Sequence, residues 1–206
     1  MEELLVNQLE EAKQNLNENG FLDLQVDPRL DLFAEIAALK KEIEQLKNTE
    51  AKSILQVLLA NRYYEFYRMN RWRFSNRNAT AKYNNEDVNT WSPDDFSKAI
   101  DAAYTQALQP AGALKKISLK EFSAIIIKGN TENLRPALYD LLAHEALDYY
   151  KDESIYVTKP EYAYEIKEKE ALGNTSVFMP YKFSSADSSS HLLKGLQLMQ
   201  QLMQFH

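Results

Sequence analysis

Between Ile54 and Arg68 lies the most apolar and aromatic stretch of the chain, carrying Leu55, Val57, Leu58, Leu59, Tyr63, Tyr64, Phe66 and Tyr67 in fifteen residues. A helix apolar on most of its sides must be covered on several faces, so this stretch is predicted to be a central helix, about 50–70, with neighbours around it. Directly after it come Met69-Asn70-Arg71-Trp72-Arg73-Phe74-Ser75-Asn76-Arg77, and the segment closes on Asp87-Val88-Asn89-Thr90-Trp91. Residues 74–91 lack a helical or strand period. The mixture of arginine, asparagine and aromatic residues reads as an ordered polar elbow that clamps the central helix to the next one.

Leu5, Leu9, Ala12 and Leu16 recur at helical spacing before Asn19-Gly20, which predicts a first helix over 2–18. Asp27-Pro28 is a start signal, and Leu32, Ile36, Leu39, Ile43 and Leu46 then form one narrow apolar stripe. Helices over 28–47 and 50–70 joined by a tight turn make a helical hairpin. Ser92-Pro93-Asp94-Asp95 starts the next helix with an N-cap, a proline at the first position and acids in the first turn. Phe96, Ile100, Ala103 and Ala107 are its buried stripe, ending before Pro110. Ser118-Leu119-Lys120-Glu121 has capping-box spacing and opens a short helix toward Ile125–Ile127.

Arg135-Pro136 begins a helix over 135–151. Leu134, Leu138, Leu141, Leu142 and Tyr149 share one face, and Ala143 and Leu147 lie opposite, so this helix is expected to be buried on two sides. Glu145 projects near the main apolar face, which a carboxylate avoids unless paired; an arginine of the Arg62–Arg77 group is the expected partner. Ile155-Tyr156-Val157 and Ser176–Met179 read as short strands or extended loops, and Pro160–Leu172 as a short helix. A last helix over 190–204 has the apolar stripe Leu192, Leu196, Met199 and Met203.

The whole pattern predicts an all-α chain, an irregular array of antiparallel helix pairs with about six or seven helices. It is loosely like tetratricopeptide repeats, although that signature does not recur. Residues 1–206 read as one helical domain: a lead-in over 1–27, a main core over 28–151, an irregular segment over 152–190 and the last helix over 190–206. Five glycines and six prolines in 206 residues agree with helix over sheet. The net charge of −6 disfavours nucleic acid or anionic membranes as main partners. With no cysteine, disulfides and thiol chemistry are excluded. No apolar run reaches the ~18 residues of a membrane span. Met1-Glu2-Glu3 does not open a signal peptide, and both ends are expected to be cuts from a longer precursor.

Candidate chemistry is sparse. Asp140, His144 and Asp148, four residues apart, lie on one flank of a helix and are the weak candidates for a divalent metal. A second ligand-bearing element is lacking, so a hydrogen-bonded histidine that orients the helix is the expected role, with no metal and no cofactor. Arg62–Arg77 interleaves arginine with aromatic rings as stacking platforms for single strands do, yet its aromatics come at core density. There is no phosphate loop and no nucleophile elbow. A free-standing helical-repeat adaptor, gripping a peptide in an exposed groove of Tyr63, Tyr64, Phe66 and Tyr67, is the main alternative to a structural module.

Two blocks carry a family resemblance. One is Asn70-Arg71-Trp72-Arg73, Asn76-Arg77 and Asp87-Val88-Asn89-Thr90-Trp91. The other is Gly129-Asn130-Thr131 with Leu134-Arg135-Pro136-Ala137-Leu138-Tyr139-Asp140-Leu141-Leu142-Ala143-His144-Glu145-Ala146-Leu147-Asp148-Tyr149-Tyr150. With the closing run Leu196 to His206, they resemble the N-terminal helical region of the large α2-macroglobulin-like proteins of Bacteroidetes-type bacteria, over about residues 28–206. The resemblance implies a non-catalytic module of a long envelope protein, periplasmic or lipid-anchored, that traps proteases. Its partners would be the other domains of that chain and, through the whole protein, proteases. A structural clamp of Arg71, Trp72, Arg73, Asn76, Arg77, Trp91, Arg135, Tyr139, His144 and Glu145 is expected. At Glu145 the family pattern has arginine, so this chain departs from it there.

Overall fold

The computed structural model describes residues 32–74, 87–124, 126, 134–152, 164–166, 172–187 and 189–206. Expectations for the 2–18 helix, for Asn76 and Arg77, and for Ile155–Val157 lie outside them. The described residues are all-α, with seven helices and no strand, as the periodicities require.

The first hairpin is α1 (Leu32–Gln45) and α2 (Thr49–Phe74), turned by Asn48, whose side chain accepts the Ala51 N–H at 2.7 Å. Ile36 and Ile43 are buried from the predicted stripe, and Arg62 of α2 reaches Glu35 of α1 at 2.9 Å. Helix α2 is central, packed by α1, by α3 (Pro93–Leu108) and by α5 (Leu138–Lys151). Its buried positions, among them Leu55, Val57, Ala60, Tyr63 and Tyr67, spread round more than one face. The helix also runs four residues beyond the predicted end, through the supposed elbow. Asn70 keeps its amide on the Phe66 carbonyl at 2.9 Å, and Phe74, fully buried, anchors the last turn.

A 3₁₀ turn, Val88–Thr90, leads into α3. Ser92 and Asp95 complete the capping box, with the Ser92 N–H donating to the Asp95 carboxylate at 2.9 Å. The joint between α2 and α3 is aromatic. Phe96 lies 5.1 Å from Phe74 and from Trp91 and 5.5 Å from Tyr67, and Trp91 lies 5.1 Å from Tyr63. Ring pairs at such separations add about 1 kcal/mol each beyond their buried area.

After α3 comes a single helical turn, α4 (Ala111–Leu114), with Pro110 at its start. Ser118 begins a 3₁₀ turn, Leu119–Phe122, its hydroxyl accepting the N–H of Lys120 and its carbonyl that of Glu121. Helix α5 starts at Leu138, three residues after the predicted start. Residues 136 and 137 are held extended instead: the Leu119 N–H donates to the Pro136 carbonyl at 2.8 Å and the Leu138 N–H to the Ile117 carbonyl at 2.9 Å. Leu134 therefore precedes the helix and is exposed rather than on its buried face. Leu138, Leu142, Ala143, Ala146 and Leu147 are buried, so α5 is covered on two sides as expected.

Ser176–Met179, expected as strand or loop, contributes to a helical turn, α6 (Thr175–Phe178), because the Asn174 side chain caps it from Val177 N–H at 3.2 Å. Tyr164–Ile166, placed within a helix by the sequence, has no regular structure. Helix α7 (His191–Phe205) packs on α5. Leu193, Leu196, Leu198 and Leu202 are buried, whereas Leu192, Met199 and Met203 of the predicted stripe are exposed. The reason is a second apolar partner: Phe178 and Phe183 pack on Leu193 and Leu196, and Gln200 donates to the carbonyls of Phe178 at 2.7 Å and Tyr181 at 2.8 Å.

Candidate functional site: a tyrosine-walled acidic cleft

Glu145, singled out in the sequence as a carboxylate needing a partner, lines a concavity of about 640 Å³ between α2, α3 and α5. Tyr64, Tyr104 and Tyr149 wall it, with Tyr149 centred 5.4 Å from each of the other two rings. Glu65, Glu145, Asp148 and Asp152 bring carboxylates to it, and Arg68 and Met69 close one end.

Each carboxylate has a side-chain partner, from another helix for Glu145 and Asp152 and from its own helix for Glu65 and Asp148. Asn61 donates to Glu145 at 3.0 Å while accepting the Tyr104 hydroxyl at 2.6 Å, so one amide joins α2, α3 and α5. The Tyr64 hydroxyl donates to Asp152, Arg62 holds Glu65 at 2.6 Å and Lys151 holds Asp148 at 2.9 Å. One hydrogen bond to Glu145 thus comes from Asn61, the residue before Arg62. Burial pushes the Tyr104 hydroxyl well above its ordinary range, and the Glu145 charge adds to this. It remains a donor throughout the accessible pH range.

Of the expected clamp, Asn76 and Arg77 lie outside the described residues, and the other members lie in different settings. Trp91 and Tyr139 are buried in the core. Arg71, Trp72, Arg73 and Arg135 are exposed, Trp72 to 78%. The Arg71 guanidinium bonds the Tyr67 hydroxyl and Arg73 bonds Asn70 at 3.3 Å, both within α2. The joint to α3 is made by Phe74, Phe96 and the clamp residue Trp91.

The metal candidates also point apart. The Asp140 carboxylate turns to the start of α5, where it accepts the Ala137 N–H at 3.1 Å, and His206 meets it at 2.8 Å. His144 places Nδ1 2.7 Å from its own helix's Asp140 carbonyl. Burial pulls that imidazole below its ordinary pKa, and the Arg135 charge pulls the same way. Asp148 is taken by Lys151, and no metal-holding group of acids and histidines occurs among the described residues.

A second polar cluster, where α3, α5 and α7 meet, had no sequence signal beyond a lone histidine. His191 is buried between the Tyr149 and Tyr150 rings, with Nε2 3.4 Å from Ser97 Oγ. One turn along each helix, Lys194 reaches Asp101 at 2.5 Å. Burial lowers the His191 imidazole to about 4, helped by Lys194, which makes it a poor base for the serine beside it.

The described residues form an all-α array in which Asn61, Tyr64, Arg62 and Lys194 join neighbouring helices through polar contacts. No family model, no curated protein and no solved structure matches the chain. No helix among the described residues is long and apolar enough to cross a membrane.

Proposed function

We propose that this chain is a structural and interaction module without catalysis of its own, the N-terminal helical region of an α2-macroglobulin-like envelope protein. The observation that carries the non-catalytic part is the state of the cleft: Glu65, Glu145, Asp148 and Asp152 are each held by a neighbouring side chain. Glu145 and Asp152 are bonded from α2 and so tie it to α5, Glu65 and Asp148 are paired within their own helices, and a general acid or base needs a group left for substrate.

The parent assignment rests on the residues that resemble that family. Trp91 and Tyr139 sit in the core, and the closing run docks on the second block through Phe205 against Tyr139 and His206 against Asp140. These are the parts a shared fold would need to keep. The parent's protease trapping and envelope location follow from the same proposal. An exposed aromatic groove for a free-standing adaptor is not supported, because Tyr63, Phe66 and Tyr67 are buried and Tyr64 alone opens into the cleft.

Two measurements test the proposal. The full reading frame should show a signal sequence upstream and a long β-rich chain downstream; a frame lacking both removes the parent assignment. Calorimetric titration of the chain with zinc or manganese should give no binding heat. Saturable binding that Glu145→Gln abolishes would overturn the non-catalytic part.

A further inference from the structure

The outer side of α7 carries a line of apolar residues at the surface: Leu192 is 40% exposed, Met199 39% and Met203 38%. At 100° per residue the three fall within about 40° of one another. They lie between the face that meets α5 and the face that meets Phe178 and Phe183, and buried Leu196 continues their line. The helix is almost without charge. Charged residues make up 26% of the chain, yet Lys194 is the single one from His191 to Phe205. Lys194 is held by Asp101 at 2.5 Å, His206 meets Asp140, and the exposed polar residues of the helix are Gln197, Gln201 and Gln204. A surface built for water alone is rich in charge. One that keeps methionine and sheds lysine, glutamate and aspartate has the composition of an interface.

We propose that this face docks on the same face of a second copy of the chain, the two α7 helices running antiparallel about a two-fold axis. Leu192, Leu196, Met199 and Met203 are spaced four, three and four apart, the seam over which two helices interlock. That spacing reads the same in both directions. With the axis level with the peptide between Gln197 and Leu198, Leu192 faces Met203 of the partner subunit, and Leu196 faces Met199 of the partner subunit. A two-fold contact must be self-complementary in this way. Charge selects the copy over another partner. The face offers nothing to steer an acidic or basic protein, whereas two chains of −6 each can approach here without opposing like charges. From Leu192 to Met203 the seam is about 16 Å long. It is short beside an interface of about 1,200 Å² or more, so the pair is weak and reversible, with a dissociation constant on the order of 100 µM. The inference goes beyond the module reading and is tested without reference to the parent chain.

Sedimentation equilibrium of the whole chain, from about 10 µM to about 1 mM, should show the mass rising from 23.8 kDa toward twice that value. In the Leu192→Glu/Met203→Glu variant, glutamates oppose each other across the pair, and association should weaken by about tenfold or more. In the Leu192→Lys/Met203→Glu variant, the antiparallel register sets each lysine against a glutamate. At about 20 mM salt this variant should associate about tenfold more tightly than the first. At high dilution both should unfold within about 2 °C of the unaltered chain, because the two positions are exposed. A chain that stays monomeric throughout, or equal association by the two variants, would overturn the proposal. So would a dilute Leu192→Glu/Met203→Glu chain that unfolds well below the unaltered one, which would assign this face to the protein's own interior.

Discussion

His206 places Nε2 2.8 Å from Oδ1 of Asp140, a carboxylate with no exposed surface. The other oxygen of that carboxylate accepts the Ala137 N–H, so one acid joins the end of α7 to the start of α5. Ala137 has no side-chain acceptor, and Asp140 supplies the only side-chain half of a capping box. Asp140→Ala should therefore cost about 2–3 kcal/mol, from the lost cap and the lost partner of His206. His206→Ala should cost about 1 kcal/mol or less, because the imidazole is partly in water. Urea unfolding measures both; equal effects would refute the double role of the acid.

Asn61 and Tyr104 form the hinge of the cleft network. Tyr104→Phe and Asn61→Ala should each cost about 1–3 kcal/mol, since each strands a buried polar group. The double variant should cost less than their sum by about 1 kcal/mol or more, and additivity in that cycle would mean the bond contributes nothing.

Acid should loosen the junction of α3, α5 and α7. The pKa of His191 is about 6.5 unfolded and about 4 folded, depressed by burial first and by Lys194 second. The neutral form is thus favoured by folding. Its contribution is complete above about pH 6.5 and is lost as pH falls through about 4, to a total of about 3 kcal/mol. Ser97, Asp101, Tyr149, Tyr150, Asp152, Asp187 and Lys194 are the polar and charged groups about it. Asp101 works in the opposite sense: burial raises its carboxyl above the ordinary range, against the pull of Lys194, so its protonation relieves some strain in acid. Ring resonances of His191 should still report the neutral form at pH 5, and an ordinary titration near pH 6.5 would contradict the buried setting.

Gly195 lies mid-helix in α7 and is buried, and a β-carbon built there meets Tyr150 Cβ at 3.5 Å and Leu147 Cδ1 at 3.9 Å. Those are ordinary contacts. Gly195→Ala should therefore stabilise the protein, by about 0.5–1 kcal/mol, through the unfolded chain and helix propensity. A lower midpoint of thermal unfolding would show that α7 and α5 leave no room for a methyl group at this position.

The rotational setting of α7 has its own check. Leu202→Ala should cost about 2–4 kcal/mol and Met203→Ala less than about 0.5 kcal/mol. The reverse order would restore the stripe expected from the sequence.

What the sequence determined by itself was local. Ser92, Pro93 and Asp95 set the start of α3, since a cap acts within one turn. The stripe through Ile36 and Ile43 and the apolar girth of α2 followed from period and composition. Glu145 could be seen to need a partner. Who answered it was decided by the fold: Asn61 is 84 positions away, and nothing in its neighbourhood distinguishes it from other asparagines. The same holds for α7, where the stripes His191/Gly195/Leu198/Leu202 and Leu192/Leu196/Met199/Met203 are both continuous along the helix. Period alone shows that α7 is amphipathic on both. Burial of the first, with Leu196 and Leu193 turned to Phe178 and Phe183, required neighbours supplied by remote parts of the chain. Trp72 and Trp91, equal in composition, end at the surface and in the core for that reason as well.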